Sequence, residues 1–252
     1  MPKCGVKMSD IKELLDNLTN KYETEDFIND DPIQFPHRYK KREDIEIAGF
    51  LASLFAYGKR EVFIGKLNTL FSYMGKSPYD YIIKGVFDLN GLNYRFFKTT
   101  DIEAFLCVLH TLYTDDGGLY KLFEKGYKSG NLMQYICDYF YSRAPKTAGG
   151  GFYFGIPNPV NGGAMKRMWM FLRWMVRKPP VDMGIWEFIP ISELKIPVDT
   201  HVARISRELG LLKRNSNDCK AVDELSNVLA ELSPEDPVKY DFALFGYGVN
   251  NK

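Results

Sequence analysis

The stretch Ile196-Pro197-Val198-Asp199-Thr200-His201-Val202-Ala203-Arg204, closing at Leu209-Gly210-Leu211, says most about how this chain folds. Pro197 fixes the approach to a helix and Asp199 stands where an N-cap belongs. A helix is therefore expected from Val198 or Asp199 through Leu209, with Gly210 as its stop. An isolated aspartate in that place is simply a cap. What precedes it gives this one more to do. Asn158-Pro159-Val160-Asn161-Gly162-Gly163-Ala164 is a tight glycine turn, and it feeds a second helix, Met165 to Val176, with Lys166 in its first turn. Backbone N–H groups at such a helix start point outward, and together with the positive helix end they suit an anion such as a DNA phosphate. A lysine there is a phosphate contact if solvated. If partly buried it is a candidate nucleophilic amine.

Working outward, Ala144 to Ala164 holds six glycines and three prolines in 21 residues, the strongest loop signal in the chain. It reads either as a linker or as a functional loop joining two halves of one domain. Within it, Gly151 to Ile156 is at best a short hairpin arm. Elsewhere the apolar spacing is helical: Ser9–Tyr22, Asp44–Tyr57, Glu61–Met74, Ser77–Lys84, Thr100–Tyr113, Leu119–Phe123, Leu132–Tyr141, Asp223–Leu232 and Asp236–Tyr247. Asp30 to Pro36 reads as a Pro-punctuated loop. The expected fold class is all-α, a multi-helix array.

Composition narrows the functional classes. Over 252 residues, 45% are hydrophobic and 26% charged, which excludes global disorder. Lys+Arg is 33 and Asp+Glu is 32, so any attraction to nucleic acid must come from a local patch. Lys59-Arg60, Lys146, Lys166-Arg167, Arg173 and Arg177-Lys178 are candidates for one basic stripe. No apolar run approaches a membrane span, and Met1 to Gly5 has no signal core behind it, so a cytoplasmic protein without a membrane partner is expected. Cys4, Cys107, Cys137 and Cys219 are too widely spaced for a zinc or iron–sulfur module and read as reduced thiols. The three histidines do not suggest a metal site, and no cofactor is expected. Aromatics reach 15%, with 16 Tyr and 18 Phe, suited to a large core or to stacking on bases.

The Pro197-Val198-Asp199-Thr200-His201-Val202 string, with a glycine-rich hairpin and a lysine upstream, resembles the helix–hairpin–helix DNA glycosylase superfamily, the endonuclease III-like base-excision enzymes. The 33 positions from Lys166 to Asp199 exceed the usual gap. In this the chain is similar to the archaeal 8-oxoguanine DNA glycosylase class, as is the helix Lys166-Arg167-Met168-Trp169-Met170-Phe171. The hairpin lacks the Leu-Pro-Gly-Val-Gly form, the C-terminal cysteine cluster is missing, and a bacterial branch of the superfamily fits these features. The resemblance implies one glycosylase-like domain over residues 1–252, with two helical subdomains flanking a cleft and 144–164 as loop and hairpin. It implies Lys166 as Schiff-base nucleophile and Asp199 as the carboxylate that stabilises charge on the sugar, acting on an oxidised purine, 8-oxoguanine first among them.

The damaged base would be turned out of double-stranded DNA into a pocket. The pocket candidates are Gln34, Phe35, Trp169, Trp186 and Tyr247, each of which also has an ordinary packing or solvated reading. The candidate DNA contacts are Lys146, Gly162, Gly163, Arg167, His201 and Arg204, with His201 equally readable as a structural histidine. The expected state is a monomer. Two alternatives stay open: a monofunctional glycosylase for another base, with Lys166 a phosphate contact, and a non-catalytic helical DNA-binding protein.

Overall fold

The computed structural model describes residues 7–251. Every regular element among them is helical, and the β-type pairings are two isolated bridges, Tyr94 with Phe97 and Gly163 with Asp218. The all-α expectation holds. The expected thiol Cys4 lies outside the described residues. Of the other three, Cys137 is buried, Cys219 half-buried and Cys107 exposed, and all are free. No helix among the described residues is long and apolar enough to cross a membrane.

The chain divides into two compact units. One is built from the segment up to Asn29 together with the segment from Gly162 onward; the other is Asp30–Asn161. The chain thus starts in the first unit, leaves to build the second, and returns. Helix α1 (Met8–Tyr22) opens the first unit, and a short helix α2 (Asp26–Asp30) follows. The second unit holds α3 (Arg42–Phe55), α4 (Arg60–Met74), α5 (Pro78–Lys84), α6 (Thr99–Asp115), α7 (Gly118–Lys128), α8 (Leu132–Ser142) and α9 (Gly150–Gly155). The first unit resumes with α10 (Lys166–Val176), α11 (Thr200–Glu208), α12 (Cys219–Leu232) and α13 (Tyr240–Asn250).

Helix α3 is the centre of its unit. From Asp44 to Phe55 every residue is buried, so it is apolar on nearly all sides, as a central helix must be. Its two buried acids are provided for. Asp44 accepts hydrogen bonds from Ser77 Oγ (2.8 Å) and Tyr79 N (2.8 Å), and Glu46 from Arg42 Nε (2.8 Å) and Tyr113 OH (2.8 Å). In the other unit, α13 packs against both α1 and α11. Gly246 makes the α1 approach possible, because a Cβ there would lie 2.5 Å from the Tyr22 ring. Ile11, Leu15, Val198, Val202, Leu225 and Leu244 belong to the core of this unit.

The segment read as a hairpin arm is instead helix α9. Its glycines serve close packing rather than a β-turn. A Cβ on Gly151 would lie 2.3 Å from Phe96 O, and one on Gly155 2.4 Å from Phe105 Cζ. The start of α9 is held from another helix: Asp101 Oδ1 accepts from Gly149 N (2.7 Å) and Phe152 N (3.2 Å), while Oδ2 accepts from Lys98 N (2.9 Å). A carboxylate thus caps a helix across space, which local sequence does not announce. The Asp30–Pro36 loop also proves more ordered than its prolines suggest, forming two short 3₁₀ turns, Pro32–Gln34 and Pro36–Arg38.

Candidate functional site

The glycine turn before α10 is strapped to the start of α12. Gly162 takes a positive φ of 75°, its carbonyl accepts from Cys219 N at 2.9 Å, and Gly163 pairs with Asp218. Met165 follows with φ of 50°, and α10 begins at Lys166. That left-handed residue offers no side-chain cap, but its carbonyl accepts from Met168 N (2.9 Å) and Trp169 N (3.1 Å) as α10 opens, with Lys166 at the first helical position.

Asp199 is the N-cap of α11. Its Oδ1 accepts from Val202 N at 2.8 Å, which fixes the carboxylate. The other oxygen, Oδ2, lies 4.0 Å from Lys166 Nζ. The fold therefore brings together the two residues that the sequence set 33 positions apart. The lysine side chain is 30% exposed and the aspartate 15%, so the pair is reachable from solvent yet partly screened from it. Trp169, on the same helix as Lys166, is half-buried against the core of this unit, with Lys195 Nζ 5.9 Å from its ring centroid.

Two turns after Lys166, the same helix carries a second cation of a different kind. Arg173 is almost wholly buried and bridges two carboxylates, Asp182 at 3.2 Å and Asp241 in direct contact. Arg177 extends the chain of charges to Asp182 (3.3 Å), Asp236 (2.7 Å) and Glu23. Burial pushes the Asp182 carboxyl up to about 6 against the pull of Arg173 and Arg177. Burial likewise pushes Asp241 up to about 7. Arg173 opposes the rise, Asp199 adds to it and Lys166 opposes it. Asp241 therefore lies within the electrostatic field of the Lys166–Asp199 pair. Arg173 and Arg177, expected in a DNA-facing stripe, are instead withdrawn into this network. Arg173 on α10 and Arg177 at its C-cap meet acids from the following loop, from the C-cap of α1 and from the C-terminal segment.

The remaining candidates divide. His201 Nδ1 is 3.0 Å from Gly248 O, and Arg204 donates to Gly248 O (2.8 Å) and Asn251 O (2.9 Å) as well as to Glu208 (3.0 Å). Both tie α11 to the end of α13, which favours the structural reading of His201 and extends it to Arg204. Trp186 is 1% exposed and meets Phe171 edge-on at 5.2 Å, so its ring is part of the core. Phe35, between Pro32 and Pro36, is fully buried and stacked on Phe71 at 5.0 Å, so its ring is likewise part of the core of its unit. Gln34 is half-buried, its oxygen taken by Arg38 (2.9 Å). Gln34, Phe35 and the exposed Lys146 belong to the Asp30–Asn161 unit. Tyr247 is 37% exposed on α13, and Arg167 is half-buried beside Lys166. Asp182 and Asp241 were missed in the sequence. Arg173, seven residues from Lys166 and so on the same helix face, is what joins them, and nothing local in the sequence marks it as buried.

The chain belongs to the family described as a protein of unknown function, DUF2400, which matches residues 31–250. No curated protein and no solved structure matches it.

Proposed function

We propose that this protein is a base-excision DNA glycosylase with lyase activity, acting on an oxidised purine, 8-oxoguanine in the first instance, through a Schiff base on Lys166. The observation that supports this reading is the Lys166–Asp199 pair: an amine and a carboxylate 4.0 Å apart, partly exposed, each set at the first turn of its own helix. It is joined to the resemblance of the Pro197–Val202 string to the glycosylase superfamily. The reading carries with it a damaged DNA duplex as partner, a monomeric chain and a cytoplasmic setting.

The chemistry asks for the residues in these roles. The unprotonated Lys166 amine attacks C1′ of the sugar. The N-glycosidic bond breaks, and the base leaves with the bonding electrons and takes up a proton. The C1′–O4′ bond then opens to give the imine, with a proton passing to O4′. Loss of a C2′ proton expels the 3′ phosphate and cuts the strand, and water releases the lysine. Asp199 places a negative charge beside the sugar as positive charge develops there, and its cap bond to Val202 keeps it from following the substrate. The positive end of the α10 dipole suits a neighbouring phosphate.

The test is covalent trapping. The protein is incubated with borohydride and an 8-oxoguanine duplex, beside undamaged and abasic duplexes. The expected result is an adduct with 8-oxoguanine that disappears in Lys166→Gln. Asp199→Asn is expected to bind the duplex and turn over very slowly. Full strand cleavage by Lys166→Gln would overturn the nucleophile. An adduct with the abasic duplex alone would keep the lyase and move the substrate to another base.

A further inference from the structure

The Asp30–Asn161 unit carries an exposed aromatic surface that the chemistry above does not use. Phe96 is 59% exposed, Tyr153 42% and Phe154 37%. They are not loose. Phe96 and Phe154 have ring centroids 4.8 Å apart, and Tyr57 lies 5.1 Å from Phe154 and nearly parallel to Phe96 at 6.3 Å. The backbone beneath is clamped by two tyrosines. Tyr57 OH donates to Tyr94 O (3.0 Å) and accepts from Phe96 N (3.3 Å), while Tyr94 OH donates to Tyr57 O. Asp101 holds both flanks, binding Lys98 N on one side and the start of α9 on the other. Gly151 lets α9 come down onto the carbonyl of Phe96.

The turn that presents Phe96 is strained. Arg95 sits at φ of 50°, a left-handed conformation that costs a non-glycine residue on the order of 1 kcal/mol. Its guanidinium lies over Gly58, where a Cβ would be 2.4 Å from Nη1.

The rim of the surface says what covers it. Lys59 follows Gly58, Arg95 and Lys98 flank Phe96, and all three side chains are exposed. Among the described residues none of the three is in an ion pair, whereas the carboxylate of this segment, Asp101, is buried and consumed by backbone donors. Exposed aromatic faces beside cations that are in no ion pair, one of them, Arg95, lying 5.6 Å over the Tyr57 ring, fit a polyanion whose neutral parts are flat, which is the chemistry of unpaired nucleobases on a phosphate backbone.

We infer that the Phe96–Phe154 surface, with Lys59, Arg95 and Lys98, is a stacking platform for unpaired bases of a nucleic acid strand. It is carried by this surface alone and does not depend on Lys166 or Asp199.

Binding of a fluorescein-labelled thymine oligonucleotide to the full chain tests it, read by anisotropy at two salt concentrations. Phe96→Ala and Phe154→Ala, confirmed as folded by thermal unfolding, are each expected to weaken binding about ten-fold, the scale of one stacked base. Phe96→Trp should retain binding. Phe96→Leu should lose it, because leucine keeps the apolar area but not the π-face. Lys59→Ser with Lys98→Ser should make the affinity less sensitive to salt. Unchanged binding in both alanine variants, or parent-like binding by Phe96→Leu, overturns the inference. So does a surface that binds anionic lipid vesicles through Phe96 while the oligonucleotide is unaffected. The probe carries no damaged base and the readout is binding, so failure here and failure of the glycosylase reading are separate results.

Discussion

Helix α10 presents two cations in opposite circumstances, and the contrast separates what the fold needs from what it leaves available. Arg173 is 4% exposed at its side chain and touches two carboxylates, one of them, Asp182, fully buried. Every charge in that group is met by another. Lys166, two turns earlier, is 30% exposed and faces one carboxylate oxygen from 4.0 Å, at the limit of an ion pair. A buried charge left without its partner costs the fold several kcal/mol or takes up a proton, whereas a half-exposed one can give up its partner at little cost to the fold. The looseness of the Lys166–Asp199 pair is therefore what the proposed chemistry would use, and the tightness of the Arg173 network marks it as scaffold.

The largest expected effect breaks the comparison at its buried end. Arg173→Met leaves Asp182 and Asp241 without their shared partner in an apolar interior. Loss of one member of a buried ion pair destabilises by about 3–5 kcal/mol, so this variant should lose a large part of its urea resistance or fail to fold. Lys166→Met should shift the urea midpoint by the equivalent of no more than about 1 kcal/mol. Equal losses in the two variants would mean that the cations do not differ as described.

The next effect is on pH. Asp182 and Asp241 titrate near 3.8 when unfolded, but burial raises them to about 6 and about 7 when folded. Between those values the folded chain holds protons that the unfolded chain has released. Stability contributed by these groups is therefore present below about pH 4 and falls as pH rises toward 7. Asp16 acts in the opposite sense. Burial opposes the shift, but hydrogen bonds from Lys12, Lys239 and Tyr240 outweigh it and hold the carboxyl at about 2, so its contribution is lost as pH falls from about 4 toward 2. Urea unfolding between pH 4 and 7 should show the fall, and Asp241→Asn should flatten it toward the upper end. A slope unchanged in Asp241→Asn would remove Asp241 from the account.

The same contrast explains what could be read in the sequence. The helices were legible because their apolar spacing, caps and glycine stops are local: Asp199 and Gly210 mark α11 within a residue or two of where it lies. Lys166 and Asp199 were legible as a pair only through the resemblance of their two short strings to the glycosylase superfamily. Asp182 and Asp241 were not, because a loop aspartate and a helix aspartate 59 positions apart share nothing until Arg173 comes between them. Arg173 and Arg177 read as surface charge for the same reason, since a lone arginine in or beside a helix carries no mark of its burial. Helix α9 was hidden by its own glycines, whose task of letting Asp101 and Phe96 approach is a tertiary one. Phe96 and Phe154 lay among 18 phenylalanines, most of them core, and exposure cannot be told from composition.

The smallest effect sharpens the exposed end of the comparison, because Asp199 does two things at once. Its Oδ1 caps α11 through Val202 N, and its Oδ2 faces Lys166. Asparagine keeps an oxygen for the cap and loses the charge; alanine loses both. Asn and Asp are nearly equal as caps, while replacing either by alanine costs typically about 1 kcal/mol. Asp199→Asn should therefore unfold within a few tenths of a kcal/mol of the parent, whereas Asp199→Ala should be less stable by about 1 kcal/mol. In borohydride trapping on an abasic duplex the order of effect changes. Both variants lack the carboxylate that the proposed mechanism places beside the sugar, so both should trap slowly, and to a similar degree. If Asp199→Asn traps at the parent rate while Asp199→Ala does not, the aspartate contributes only its cap, and the charge facing Lys166 has no part in the chemistry.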